Sequence, residues 1–108
     1  MEQGLYRVQF QTQLGAGAGV VVLENGRLRG GDSMIFYSGV YEQNDDTMRA
    51  EVTTDAHSQV PGMASVFGVD SVNIVLEGKV KDNVIQMTGT APEMPEIAFQ
   101  AVLTKLEG

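Results

Sequence analysis

Apolar and polar positions alternate along most of the chain. Tyr6, Val8 and Phe10 fall on one face of an extended segment, with Arg7, Gln9 and Gln11 on the other. That period of two marks a half-buried β-strand. Ala16 to Glu24 predicts a second strand, and Asn25-Gly26 predicts a tight hairpin turn into Arg27–Gly30. Both residues of such a turn take positive φ, which Asn and Gly tolerate best. Met34 to Glu42 reads as a further strand, rich in Ile, Phe, Tyr and Val. Thr47 to Ala56 then alternates Met48, Ala50, Val52 and Thr54 against Arg49, Glu51, Thr53 and Asp55.

The alternation stops between His57 and Gly68, which holds Pro61-Gly62 and predicts a loop or a short helical turn. It resumes through Val72, Ile74 and Leu76, turns at Asp82-Asn83, and continues from Val84 to Ala91. Pro92 and Pro95 mark a loop, and Ile97, Phe99, Ala101 and Leu103 alternate in the last segment. The pattern therefore predicts about eight strands with short connections. Short sequential hairpins favour an all-β, antiparallel up-and-down barrel, which removes exposed edges by closure. A two-sheet sandwich is the alternative. Residues 1–108 make one domain, long enough for a modest core.

The stretch Gly15-Ala16-Gly17-Ala18-Gly19 invites a second reading, as a phosphate-binding loop. A dinucleotide fingerprint needs G-x-G-x-x-G opening a helix. Here Val20 occupies the place of the last glycine, and Val20-Val21-Val22 is a poor helix start. No Gly-Lys-Ser/Thr follows, so a P-loop also fails. The strand reading explains more. Alternate glycines leave one strand face bare, suited to a bend, a bulge or a ring crossing from a neighbour such as Tyr6 or Phe10. Gly30-Gly31 predicts another bend.

Charge narrows the partners. The net charge is -7, with only seven scattered Lys and Arg residues. Nucleic-acid binders cluster basic residues on one face, so direct nucleic-acid binding is not expected. Cysteine is absent, which removes disulfides and thiolate chemistry. The first residues show neither a basic nor an apolar leader region, and no apolar run approaches the roughly 18 residues of a membrane span. A cytoplasmic protein without membrane association is expected.

Candidate chemistry is sparse. His57 is the single histidine, without a second ligand at metal spacing, and reads as a locally bonded loop residue. Asp32, Glu51, Asp55, Asp70 and Glu77 are scattered, and Ser65 does not sit in a nucleophile elbow. No catalytic residue, metal site or cofactor is expected. Glu42, Gln43, Asn44, Asp45 and Asp46 form a polar run between two strands. Its plain reading is a solvated hairpin loop. Its functional reading is an acidic loop that presents charge to a basic protein surface. Six methionines suit core filling or a cavity for a small apolar ligand. Tyr6, Val8, Phe10, Phe36, Phe67 and Phe99 are the candidate residues for such a cavity.

Four segments carry a family resemblance. Gly4-Leu5-Tyr6-Arg7-Val8-Gln9-Phe10 is similar to an opening G-x-Y-x-x-x-F strand. Gly17 to Gly26 is similar to a G-x-G-hydrophobic-N-G segment, Gly30-Gly31-Asp32 to G-G-D, and Tyr37-Ser38-Gly39-Val40 to Y-x-G-V. Together they resemble the GrlR family, negative regulators of type III secretion gene expression with many uncharacterised relatives. The resemblance covers roughly residues 4 to 57 and is weaker beyond. It implies an eight-stranded, lipocalin-like barrel with an apolar interior, assembled as a homodimer. It also implies a regulator that sequesters a transcriptional activator. An exposed Glu-Asp-Glu-Asp stretch of that family, linked to activator recognition, falls where this chain has Gln43-Asn44-Asp45-Asp46. Asp45 and Asp46 keep the charge, and Glu42 lies one position before the run.

Overall fold

The computed structural model describes residues 3–58 and 72–107. It is an all-β, closed barrel of eight antiparallel strands in up-and-down order, each paired with its sequence neighbours and β1 with β8. The strands are β1 (Gly4–Thr12), β2 (Gly15–Glu24), β3 (Arg27–Gly31), β4 (Ile35–Asn44), β5 (Thr47–Ala56), β6 (Val72–Lys81), β7 (Val84–Ala91) and β8 (Met94–Glu107). Closure excludes the two-sheet sandwich. Among the described residues there is no helix, so none is long and apolar enough to cross a membrane. The loop or helical turn expected from His57 to Gly68 falls almost wholly outside the described residues, which include His57 and Ser58 only.

Turn chemistry sets the hairpins. Asn25 (φ 51°) and Gly26 (φ 80°) form the expected positive-φ pair between β2 and β3. Asp45 (φ 56°) and Asp82 (φ 54°) open the two-residue turns that follow β4 and β6. Short side-chain acceptors make Asp and Asn the non-glycine residues best suited to that region. All three turns lie at one end of the barrel, the Asp45 end. The Gln13-Leu14 turn, the β3–β4 connection and Pro92-Glu93 lie at the other, the Leu14 end.

Beyond shifts of one residue at strand ends, the elements depart from the sequence pattern in the following places. β4 runs through Asn44, because Glu42, Gln43 and Asn44 pair with Arg49, Met48 and Thr47. The ladder outlasts the apolar alternation there, since backbone pairing needs no apolar side chain. β8 begins at Met94, ahead of Pro95. A register shift beside Ala91 absorbs the proline, which has no N–H for the ladder. Gly30 and Gly31 do not bend the chain but stay within β3. A Cβ on Gly30 would lie 2.0 Å from the Val20 carbonyl oxygen, so the glycine permits close strand approach.

Inward positions of every strand form one core, including Tyr6, Val8, Val21, Leu23, Met48, Ile74, Ile85 and Leu103. The glycine stripe of β2 shares the inward parity of Val21 and Leu23. Phe10, opposite Gly17 in the register, lays its ring over it. A Cβ on Gly17 would sit 2.8 Å from that ring. The ring crossing expected at the bare stripe is therefore made by Phe10.

Candidate functional site

The interior holds a small cavity of about 50 Å³. Val8, Phe10, Tyr37, Met87 and Phe99 are among the residues around it. Phe10 meets Tyr37 edge-on (5.9 Å, 85°) and stacks on Phe99 (6.0 Å, 19°). These rings occupy the space that the small side chains of β2 leave open. Pockets for drug-sized ligands run to roughly 300–1,000 Å³, so this interior is largely filled.

The expected cavity residues divide by strand parity. Val8, Phe10 and Phe99 line the cavity, and Tyr6 is buried in the core without lining it. Phe36 points outward and is 43% exposed, which corrects its assignment to the interior. Its neighbours Ile35 and Tyr37 take the inward face of β4, and alternation leaves Phe36 no choice. Phe67 lies outside the described residues.

Tyr37 anchors a polar latch at the Leu14 end. Its hydroxyl donates to Asp32 Oδ2 at 2.5 Å. Asp32 Oδ1 accepts the backbone N–H of Met34 and of Ile35, each at 2.9 Å. This carboxylate therefore fixes the β3–β4 connection and the tyrosine together. A Cβ on Gly19 would lie 2.7 Å from the Tyr37 hydroxyl and 2.6 Å from the Gly31 carbonyl oxygen. Burial first, and then the Asp32 carboxylate, push the Tyr37 hydroxyl far above the usual tyrosine range. Gly19, Gly31, Asp32 and Tyr37 thus meet in one packing arrangement.

His57 joins the same connection. Its Nε2 lies 2.8 Å from the Asp32 carbonyl oxygen and its Nδ1 2.8 Å from Ser58 Oγ. A carbonyl only accepts, so Nε2–H donates, and in the neutral ring Nδ1 accepts from the serine hydroxyl. Both ring nitrogens are engaged locally. Among the described residues, no group of three His, Cys, Asp or Glu side chains converges as metal ligands would.

The acidic run lies at the opposite end. Only Asp45 and Asp46 form the turn. Glu42, Gln43 and Asn44 belong to β4, which corrects the picture of a five-residue loop. The Gln43 side-chain amide donates to the Asp45 carbonyl at 2.6 Å and stiffens the turn. Asp46 accepts Val80 N–H through its carbonyl at 2.7 Å, and its carboxylate lies 3.8 Å from Lys79 Nζ. Glu42 shares an outward row with Arg49 and Glu77. Arg49 turns to Glu77 at 2.8 Å and to Glu51 at 3.6 Å. Among the described residues, Glu42 and Asp45 have no cationic partner. The result is an exposed tip in which Asp46 lies beside a lysine, while among the described residues Glu42 and Asp45 make no ion pair.

Comparison of the chain with protein-family models and with curated proteins gives no match.

Proposed function

We propose that this protein is a non-enzymatic regulator of the GrlR type, which binds a basic protein partner, a transcriptional activator, through the acidic tip at Glu42–Asp46. The observation that supports this reading is the exposed Asp45-Asp46 turn, held stiff by Gln43 with Glu42 beside it. Rigid presentation favours recognition, because little conformational freedom remains to be lost on binding. Exposed ion pairs contribute only about 0–1 kcal/mol each, so the carboxylates act chiefly by steering and orientation. A binder of a small apolar ligand is the second reading. The cavity of about 50 Å³ limits it to molecules far smaller than a lipid.

The test is affinity capture from cell extract with the wild-type chain and with Asp45→Ala/Asp46→Ala. The expected outcome is a basic protein held by the wild type and depleted with the variant. Its affinity should fall with salt, and more steeply for the wild type. Equal capture of the same proteins by both chains overturns the reading.

A further inference from the structure

Three of the seven cations share one patch of the barrel's outer wall. Arg7 on β1 and Arg27 and Arg29 on β3 are exposed. They carry the outward parity of their strands, since Tyr6, Val8 and Leu28 point inward. The register sets them around the outward side chains of β2. Arg7 lies level with Val20 on one side, and Arg29 lies level with Val22 on the other. These two valines are 45% and 41% exposed. The row of Arg7 and Val20 continues through Gly31 to the exposed ring of Phe36, and Gly31 brings no side chain between them. An apolar ridge along β2 is thus bordered by guanidinium groups on both sides.

Charge sets this patch apart from the rest of the molecule. The chain carries fourteen carboxylates, yet Gly4 to Tyr41 holds only Glu24 and Asp32. Asp32 is engaged by Tyr37 and the β3–β4 connection, and Glu24 lies opposite Arg27 at the Asp45 end. Among the described residues, none of the three arginines is in an ion pair, whereas Arg49 of β5 holds both Glu51 and Glu77. Exposed cations beside an apolar ridge are complementary to a partner that is acidic and apolar together.

We propose that this patch docks an acidic amphipathic helix of another protein, its apolar stripe on Val20 and Val22 and its flanking carboxylates on the arginines. Dimensions support a helix. β1 and β3 flank β2 about 10 Å apart, which matches the roughly 10–12 Å width of a helix with its side chains. Arg27 and Arg29 stand about 7 Å apart along β3, close to the roughly 6 Å that four residues rise in a helix. Each guanidinium can receive a carboxylate through two parallel hydrogen bonds. Charge argues against other occupants. A second copy presenting the same face brings arginines to arginines. An anionic bilayer extends past the patch and meets Glu24 and Asp55 at its border, on a chain of net charge -7. The patch lies on the wall of the barrel, and the proposal does not depend on the reading of the acidic tip.

The test is a chemical-shift titration of isotope-labelled protein with a synthetic helical peptide. The peptide carries a leucine stripe flanked by glutamates and is about 15–20 residues long, enough to hold a helix in water. Saturable shifts are expected at Val20, Val22, Arg29 and Phe36, and none at Asp45 and Asp46. Arg7→Glu/Arg29→Glu should weaken binding about tenfold or more, through lost pairs and new like-charge contacts. The same peptide with lysine in place of glutamate should leave these residues unmoved. Absence of saturable shifts there, an equal response to the lysine peptide, or unchanged affinity in the folded variant overturns the proposal. Shifts at the same residues on dilution of the protein alone overturn it in favour of a second copy. Tighter binding to phosphatidylglycerol vesicles than to the peptide overturns it in favour of a lipid surface. The lysine peptide decides the matter on the wild-type chain even where the variant does not fold.

Discussion

Tyr37 shows how much one side chain can organise. Its ring packs edge-on to Phe10, and its hydroxyl reaches Asp32, which also holds two backbone N–H groups of the β3–β4 connection. The cause is a match of burial and valence: a buried hydroxyl needs an acceptor, and a carboxylate has room for several donors. The sign of the pH effect follows. The folded state holds the Tyr37 proton more tightly than the unfolded chain, whose tyrosines ionise near the usual pKa of about 10. This contribution is fully present below that pH and is lost as pH rises above it, because the unfolded state then releases the proton first. Urea unfolding in alkaline buffers should show stability falling with pH for the wild type, with a shallower slope for Tyr37→Phe. Equal slopes would show that the hydroxyl does not carry the effect. At neutral pH the same substitution should cost roughly 1.5–3 kcal/mol, the loss of a hydrogen bond to a charged acceptor.

At the scale of elements, β2 is the unusual strand. Its inward glycines are not interchangeable. Gly17 faces the edge of the Phe10 ring, which can tilt, whereas Gly19 faces the Gly31 carbonyl and the bonded Tyr37 hydroxyl, which cannot move without breaking the latch. Gly19→Ala should therefore destabilise by about 1–3 kcal/mol, the usual cost of overpacking, and Gly17→Ala by clearly less. Denaturant midpoints at constant slope measure the difference, and the reverse order would contradict this account. The periodicity of the sequence placed β1, β5 and β7 well, because polar and apolar residues alternate cleanly there. It ended β4 two residues early, at Glu42, because the last residues of that strand are polar on both faces. Hydrogen-bond pairing alone extends the ladder to Asn44. That difference changes the candidate site, since a two-residue turn presents Asp45 and Asp46 more rigidly than a five-residue loop would.

At the scale of the whole molecule, the barrel is closed and largely filled. Three aromatic rings, Phe10, Tyr37 and Phe99, stand where a hollow barrel would hold ligand. Native mass spectrometry of protein exposed to palmitate should find no retained fatty acid. Retention would show that the interior opens far beyond its cavity of about 50 Å³. Charge is also distributed by scale. The net charge of -7 does not say which carboxylates are ion-paired. Among the described residues, Arg49 pairs with Glu51 and Glu77 and Lys79 with Asp46, while Glu42 and Asp45, like several other carboxylates, are in no ion pair.

By itself the sequence determined strand identity, most hairpins and the all-β class, because these depend on neighbours two residues apart and on turn residues with positive φ. It also marked Gly15–Gly19 as a bare stripe suited to a bend, a bulge or a crossing ring, since missing side chains are visible without coordinates. Tertiary structure alone decided what depends on distant pairing. Which ring fills the stripe depends on Phe10 facing Gly17 across the ladder. The outward turn of Phe36 depends on the register that sends Tyr37 to Asp32. The latch ties Asp32, in the β3–β4 connection, to Tyr37 of β4 and packs against Gly19 of β2, whose distance in sequence gives no hint of the contact. β2 outlasts its neighbour because β3 stops at Gly31, and strand length relative to a neighbour is a property of pairing, not of either strand alone.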